Sequence, residues 1–245
     1  MLHVSSGLER IVVATYNVHR CVGLDGRHDP SRIAAVVREM QVDAIALQEV
    51  DSRAAVQQGV DQFAFLASAT GMRPIAGPTL RGHRGHYGNA VLTRLPILET
   101  RRLDLSVPGR EPRGALGVEL DVRGQKLALI ATHLGLRWRE RRKQVALLVG
   151  LVSRLGDAPL VLLGDMNEWM PVGHSLSPLL RIFGTGPRIR TFPAARPLLP
   201  LDRIWCWPPN ALVEVRAHTS RLARRASDHL PLRAELQLAR GGLDA

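Results

Sequence analysis

The stretch from residue 126 to residue 168, KLALIATHLGLRWRERRKQVALLVGLVSRLGDAPLVLLGDMNE, carries the pattern that decides the fold class of this chain. Apolar runs at Lys126–Thr132 and Leu160–Leu163 predict two buried strands. Between them, Trp138–Leu155 has apolar residues at helical spacing and predicts the longest helix. Strands that alternate with helices in this way are typical of an α/β protein, in which helices cover the outer faces of sheets.

The alternation is repeated nearer to the N-terminus. Strands predicted at Ile11–Thr15 and Asp43–Gln48 are each followed by a predicted helix, at Ser31–Met40 and Gln62–Thr70. Further strands are predicted at Ala90–Thr93, Ile97–Leu105, Ala115–Val122, Arg203–Cys206 and Leu232–Leu238. This order predicts two halves, each contributing one sheet, in a layered α/β sandwich. We find no internal repeat or linker and expect one domain over residues 1–245.

The composition is that of an ordinary globular protein, with 45% apolar and 22% charged residues. No basic start precedes a long apolar run, and no stretch approaches the ~18 apolar residues that span a bilayer. We therefore expect a cytoplasmic protein without a transmembrane segment, and a monomer. The two cysteines, Cys21 and Cys206, are too few for a disulfide scaffold and match no zinc motif, which predicts reduced core residues.

The net charge of +11 favours anionic partners, such as phosphate esters, nucleic acid or phospholipid head groups. Nearly all of the basic residues are arginine, which a GC-rich genome also favours, so the charge permits such partners without identifying one. The densest basic run, RWRERRK at Arg137–Lys143, has two interpretations. It is a solvated helical face, which is the commoner outcome, or it contacts an anion.

Polar side chains recur directly beside the predicted strands. The set comprises Asn17, Gln48, Glu49, His133, Asp165, Asn167, Asp228 and His229. A single aspartate after a strand usually caps a turn, but carboxylates, carboxamides and imidazoles at several strand ends are together the groups that hold Mg²⁺ and a phosphate. Oxygen ligands such as Glu49 suit Mg²⁺ or Mn²⁺, and the scarcity of cysteine disfavours structural zinc.

Seven segments resemble, in chain order, the motif series of the endonuclease/exonuclease/phosphatase (DNase I-like) superfamily. They are TYNVH, LQEV, GNAVLTRLPI, ATHL, GDMNE, LDRI and SDHLPL, and they extend over roughly residues 11 to 238. GDMNE together with SDHLP is specific to the family, whereas LQEV and TYNVH are less so. The resemblance implies a four-layer α/β sandwich with two mixed β-sheets flanked by helices, and Mg²⁺ (or Mn²⁺) at its mouth.

The resemblance also implies roles for the residues that match these motifs. Glu49 would be the main metal ligand, with Asn17 beside it and Asp228 near the metal. Asp165 would orient or deprotonate the attacking water, and Asn167 would bind the substrate phosphate.

The remaining matched residues would contact the phosphate or support those that do. His229 would contact the scissile phosphate and be held by Asp202 of LDRI, while His133 would face the phosphate or the leaving group. Asn89 would line the same pocket. Arg113, in REPRGAL, would bind phosphate through its fork of donors, unless it is only a surface arginine beside Glu111.

Three functions remain open from the sequence. A phosphodiesterase acting on a small-molecule or phospholipid-type substrate is our first choice, because TFPA and LPLDRI look like segments of the small bacterial hydrolases of the family. The alternative is a DNA endonuclease or exonuclease, including the abasic-site type. Two residues disfavour the abasic-site type: His19 stands where those endonucleases have an aspartate, and Asp51 follows LQEV where repair endonucleases usually carry a lysine. A non-catalytic binding module is disfavoured because Glu49, Asp165 and His229 are all present.

Overall fold

Two mixed β-sheets pack against each other, and helices cover their outer faces. The computed structural model describes residues 8–53, 60–82, 85–154, 158–170 and 175–239. The strands are β1 (Leu8–Asn17), β2 (Ala44–Asp51), β3 (Arg73–Gly82), β4 (Gly85–Thr93), β5 (Ile97–Asp104), β6 (Gly114–Val122), β7 (Gln125–His133), β8 (Leu160–Asp165), β9 (Asp202–Trp207), β10 (Leu212–Ala217) and β11 (Leu232–Ala239). The helices are α1 (Pro30–Met40), α2 (Gln62–Thr70), α3 (Trp138–Val152), α4 (Ser177–Phe183) and α5 (Ala223–Ala226). The predicted four-layer α/β sandwich is confirmed.

The strand order places two parallel pairs at the centre. The first sheet has the order β10-β11-β1-β2-β4-β3 and the second the order β5-β6-β7-β8-β9. β1 is parallel to β2, and β7 is parallel to β8, while the other pairs are antiparallel. Because parallel strands end at the same edge of a sheet, each of these pairs presents two carboxyl ends side by side.

The alternation of side chains along the strands separates three hydrophobic layers. On β1, Ile11 and Val13 belong to the layer between the sheets, whereas Val12 and Ala14 face the helices. α1 and α2 complete the outer layer on the first sheet, and α3 and α4 that on the second. Burial on both faces explains why the central strands appear in the sequence as nearly continuous apolar runs.

The chain does not divide into halves that each form one sheet, and this expectation is wrong. The C-terminal strands β10 and β11 return to the first sheet, where β11 pairs with β1 along Leu8–Thr15. Without β11, the backbone of β1 would form an unpaired edge. Leu232, Ala234 and Leu236 of β11 also complete the layer between the sheets, so burial favours the same arrangement.

The sequence patterns do not predict β3, β10 or the short helices α4 and α5. β3 contains Pro74 and Pro78, which normally disfavour a strand, but it lies at the edge of its sheet, where a missing N–H is tolerated. β10 is the opposite edge strand and has no buried face. Helix α3 ends at Val152, and Leu155, at the end of the predicted helix, lies outside the described residues.

The state of the cysteines and the length of the helices can be compared with what the composition predicts. Cys21 and Cys206 are both buried and free. None of the helices in the described ranges is long and apolar enough to cross a membrane.

Candidate active site

The carboxyl ends of the two parallel strand pairs meet at one edge of the sandwich. Asn17, at the end of β1, lies opposite Gln48 of β2, and His133, at the end of β7, lies opposite Asp165 of β8. A hydrogen bond of 3.1 Å from the side-chain amide of Asn17 to the Asp165 carboxylate joins the two sheets at this point. Residues from separate sequence motifs therefore share one site.

Asn17 bridges two carboxylates. Its Nδ2 donates to Glu49 Oε1 and to Asp165 Oδ2, at 3.1 Å in each case. Its Oδ1 accepts the backbone N–H of His19 at 3.0 Å, which fixes the orientation of the amide. Asn17 therefore directs its nitrogen, and not its oxygen, toward Glu49.

Glu49 lies at a β-bulge that re-aims its side chain. The pairing of β2 with β4 shifts register between Leu47 and Val50, and Glu49 has a φ of 60°. This left-handed conformation is uncommon for a residue with a Cβ, and such strain concentrates at functional sites. Within the described part of the chain, Glu49 Oε2 has no hydrogen-bond partner, so this half-buried carboxylate has a free oxygen.

Asp165 is almost completely buried and lies between two imidazoles. Its Oδ1 accepts the backbone N–H of Asn167 at 2.9 Å. Its Oδ2 lies 3.5 Å from Nε2 of His133 and 3.7 Å from Nε2 of His229. A carboxylate in this position can orient a water molecule and accept a proton from it.

His133 and Asn167 form one side of this arrangement. Asn167 Nδ2 donates to the carbonyl of Leu134 at 2.9 Å and lies 3.1 Å from His133 Nε2. On the other side of the ring, Arg113 Nη1 lies 3.5 Å from Nδ1. Burial and the positive charge of Arg113 lower the pKa of His133 to about 3. His133 is therefore neutral at physiological pH.

His229 is charged, unlike His133, because the carboxylate of Asp202 lies beside its imidazole. Nδ1 of the imidazole lies 2.9 Å from Asp202 Oδ2, which also accepts the hydroxyl of Thr191 at 2.5 Å. The ring of Phe192 packs against the imidazole with 4.9 Å between centroids. Burial disfavours the imidazolium, but the negative charges of Asp202 and Asp165 outweigh it and raise the pKa of His229 to about 10. His229 is therefore positively charged at neutral pH.

Arg113 and Asn89 lie at the His133 side of the site. Arg113 is only 6% exposed, and its Nη1 donates to Glu111 Oε1 at 3.0 Å. Its Nε is buried without a hydrogen-bond partner among the described residues. Asn89 Nδ2 donates to the carbonyl of Gly114 at 2.9 Å, so its amide braces the backbone next to Arg113. Arg113 is therefore not a surface arginine.

Asp228 approaches the site from the other side, beside Asn17. Ser227 Oγ donates to the backbone carbonyl of Asn17 at 2.7 Å, which fixes this loop against the end of β1. His19 Nδ1 lies 3.8 Å from Asp228 Oδ1. The histidine that stands where abasic-site endonucleases have an aspartate therefore faces a carboxylate of the site.

Side chains at two depths of the site offer ligands for a cation. Glu49 and Asp228 are partly exposed hard-oxygen donors. Asp165, Asp202 and His229 lie deeper, with ligand atoms within 4.8 Å of one another. A cation in the deeper group would compete with the imidazolium of His229 for the same carboxylates. The free carboxylate oxygen of Glu49 and the exposure of Asp228 fit a hard divalent cation better.

Several supporting residues are not identifiable from the sequence motifs alone. Thr191, Phe192 and Ser227 hold Asp202, His229 and Asn17, respectively. All three lie within the segments TFPA and SDHLP, and the position of these segments in the family motif series is the signal that could have identified them. The partner of a short polar side chain depends, however, on what lies across the fold.

The buried ion pair of Arg141 and Glu168 is another such feature. Arg141 Nη2 lies 3.1 Å from Glu168 Oε2, and Arg141 Nη1 also donates to the carbonyl of Leu136 at 2.7 Å. Glu168 is the last residue of GDMNE. The pair therefore connects the loop after β8 to the loop after β7.

Comparisons with known proteins identify relatives of this chain. A sequence model of the Endonuclease/Exonuclease/phosphatase family matches residues 14–229, the range that contains every candidate site residue. The uncharacterized protein YbhP of Escherichia coli strain K12 is 34% identical over 243 residues, which cover 92% of this chain and 96% of YbhP.

Solved structures share the fold. An endonuclease/exonuclease/phosphatase from Beutenbergia cavernae DSM 12333 is 25% identical and has a TM-score of 0.74, over 94% of this chain and 72% of that one. A mannosyl-6-phosphatase from Bacteroides thetaiotaomicron VPI-5482 is 17% identical and has a TM-score of 0.73, over 93% and 99% of the two chains. At that identity, the second likeness concerns the fold alone.

Proposed function

Because the chain belongs to the endonuclease/exonuclease/phosphatase family, we propose that it is a divalent-metal-dependent hydrolase of phosphate esters, and that it is a phosphodiesterase for a small-molecule or phospholipid-type substrate. The observation that carries this proposal is the position of Asp165 between a neutral and a charged imidazole, 3.5 Å and 3.7 Å away. One site thus combines a proton acceptor with fixed positive charge, beside the cation ligand Glu49.

The metal belongs at the mouth of the site in this proposal. Glu49 and Asp228 hold Mg²⁺ or Mn²⁺, and Asn17 keeps the Glu49 carboxylate in place through its 3.1 Å hydrogen bond. When bound, the cation supplies positive charge that neutralises phosphate oxygens.

The buried residues perform the proton transfer and bind the phosphate. Asp165 orients the attacking water and accepts its proton, while Asn167 and Arg113 donate hydrogen bonds to phosphate oxygens. His229 directs Nε2–H at the phosphate, and Asp202 keeps this imidazole protonated. Negative charge spreads over the phosphate oxygens in the transition state, so a preorganised cation contributes most there. His133, neutral and fixed, faces the leaving group.

The substrate class rests on two features. The segments TFPA and LPLDRI resemble those of the small bacterial hydrolases of the family. A nuclease groove, in contrast, interleaves aromatic rings with basic residues along a strand-binding path, and the sequence shows no such interleaving. DNA cleavage is the competing activity that the assay must exclude.

A substrate panel tests the proposal. Purified protein with Mg²⁺ is assayed on bis(p-nitrophenyl) phosphate, p-nitrophenyl phosphate, nucleotides, phospholipids, plasmid DNA and abasic DNA. We expect diester hydrolysis that a chelator abolishes, Mg²⁺ or Mn²⁺ restores, and Glu49→Ala removes while the protein stays folded. Full activity in chelator would contradict the metal assignment. Cleavage of DNA in preference to every small diester would make the protein a nuclease instead.

A further inference from the structure

A groove rich in basic residues leads away from the candidate active site along the start of α3. It has a volume of about 610 Å³, and its walls include Val107, Pro108, Arg110, Arg137, Trp138 and Lys143. We call it the arginine groove. The basic run RWRERRK, whose role the sequence leaves open, forms one of its walls.

The arginine groove approaches the active site through a neighbouring cavity that Arg113 lines. Arg110, Arg137 and Glu140 line both this groove and a second cavity of about 310 Å³, and Arg113 lines the second cavity. Arg113 in turn lies 3.5 Å from His133. Arg113 therefore lies between His133 of the active site and the cavity that adjoins the arginine groove.

The charge of the groove is strongly positive. In the described part of the chain, Arg110, Arg137 and Lys143 form no ion pair with a carboxylate. Of the two acidic residues nearby, Glu111 is paired with Arg113. Glu140 is buried and accepts a hydrogen bond from the amide of Gln144 at 3.4 Å, and its single negative charge is outnumbered by the basic groups of the groove. The N-terminus of α3, a helix of 15 residues, adds a positive dipole end at the same place.

Arg113 provides an independent sign that a ligand belongs here. Its side chain is more than nine-tenths buried, yet Nε has no hydrogen-bond partner within the described ranges. Leaving a buried charged donor without a partner is costly, and an anion between the active site and the groove would satisfy it.

We propose that the arginine groove binds a second phosphate-type anionic group of the substrate whose scissile phosphate occupies the active site. This inference rests on the proposed function and specifies its substrate class: a phosphate ester that carries another anionic group. Arg110 and Arg137 bind the distal group through guanidinium forks, and Arg113 lies between the two anions.

A nucleic-acid strand fits the arginine groove less well. Binding of single strands uses successive aromatic platforms on which bases stack. The described walls of the groove contain a single aromatic ring, Trp138, and the guanidinium of Arg142 covers one face of it at 4.8 Å. The groove is therefore suited to isolated anionic groups and not to a row of bases.

The test uses inhibitors that differ only in the second anion. α,ω-Alkanediol bisphosphates of increasing chain length, and the matching monophosphates, compete against bis(p-nitrophenyl) phosphate. We expect a bisphosphate of suitable length to have a Ki about tenfold below that of its monophosphate, equivalent to ~1.4 kcal/mol. In the double variant Arg110→Gln/Arg137→Gln this ratio should fall to about one, with kcat for the reporter unchanged within about twofold.

The control variant is Arg73→Gln, which removes charge from the start of β3, the end of the first sheet away from the site. It should leave the ratio as in the wild type. If the double variant has the same ratio of monophosphate Ki to bisphosphate Ki as the wild type, the proposal is overturned. If the wild type hydrolyses no phosphate ester, the proposed function fails, but calorimetric titration of the bisphosphate and monophosphate into the same variants still decides whether the groove binds the second anion.

Two further arms identify the source of the anion. Cosedimentation with phosphatidylglycerol vesicles, lost in the double variant and absent with phosphatidylcholine, would support a lipid head group. An effect confined to the soluble bisphosphates would support a free phosphate ester. Steeply salt-dependent binding of DNA that the double variant abolishes, with bisphosphate binding unaffected, would overturn the proposal in favour of a nucleic-acid groove.

Discussion

At the scale of single residues, the candidate site contains two buried histidines in different charge states, one neutral and one positive. Both contact Asp165 through Nε2, but burial with Arg113 lowers the pKa of His133 to about 3, and the carboxylates around His229 raise its pKa to about 10. Pairs of groups whose environments separate their pKa values are typical of acid–base sites. The burial and the neighbouring charges of each ring, and not the imidazole itself, determine its protonation state.

The charge state of His229 can be measured directly. In chelator-treated protein, we expect its imidazole to remain protonated well above pH 7 and to titrate near pH 10. Asp202→Asn should lower this pKa, because burial then opposes the charged form with less compensation. Histidine side-chain ¹⁵N NMR over a pH series measures both values. Titration of His229 near the ordinary value of about 6.5 would contradict the prediction.

The Asp202–His229 pair should also act as a unit in catalysis. We expect His229→Ala to lower kcat at least ~10²-fold, the scale of losing one preorganised stabilising group. Asp202→Asn should be milder, since the imidazole remains but is less well held. In a double-mutant cycle on kcat, with thermal melts as the folding control, the two losses should be non-additive. Simple addition would show that the hydrogen bond of 2.9 Å does not couple them in catalysis.

At the scale of elements, Gly164 leaves no room for a side chain where the parallel strands β7 and β8 bring catalytic candidates together. Gly164 has a φ of 146°, and a Cβ there would lie 1.9 Å from the carbonyl oxygen of Thr132. The glycine directly precedes Asp165. A side chain at this position would therefore disturb the strand ends that carry Asp165 and His133.

Gly164→Ala should therefore destabilise the protein. We expect a loss of about 3 kcal/mol from backbone strain and overpacking, and a Tm lower by about 6–12 °C. The matched control is Gly150→Ala on α3, where a Cβ meets no atom within 4 Å. Because alanine favours a helix interior, the control should raise stability by about 0.5–1 kcal/mol. Differential scanning calorimetry measures the Tm of both variants. Equal Tm values for Gly164→Ala and Gly150→Ala would refute the steric argument.

At the scale of the whole molecule, the excess of positive charge is not evenly available. The net charge is +11, but many arginines are engaged by surface carboxylates, as Arg10 is by Glu235 and Arg101 by Glu99. Arg110 and Arg137, in contrast, line the arginine groove without such partners. Part of the positive charge that carboxylates leave unpaired therefore lies in the arginine groove.

This distribution predicts a shallow dependence of substrate binding on salt. A substrate that contacts the protein through one or two anionic groups should lose no more than about tenfold in affinity between about 50 and 200 mM salt. A nucleic acid held by many phosphate contacts should lose at least about 10³-fold over the same range. The KM for the preferred diester, measured across a salt series, distinguishes the two. A steep dependence would favour the nuclease.

The family and the α/β class follow from the sequence alone, and the sequence also predicts which residues form the candidate site. Motifs such as GDMNE and SDHLP, and apolar runs such as Leu160–Leu163, are local strings, and local strings encode strands, helices and side-chain chemistry. The pairing of the strands, in contrast, is visible only in the folded chain. An apolar strand face fits any sheet that buries it, so no local pattern predicted the return of β11 to β1.

The same reason applies to the contacts that give the residues their roles. Asn17 bridges to Asp165 across 148 positions of sequence, and Thr191 reaches Asp202 from a loop whose path the motifs do not predict. The run RWRERRK reads equally well as a solvated helical face or as an anion site. Its position beside Arg113 follows from the packing of α3 on the second sheet. Charge and chemistry are properties of the residues, but proximity is a property of the fold.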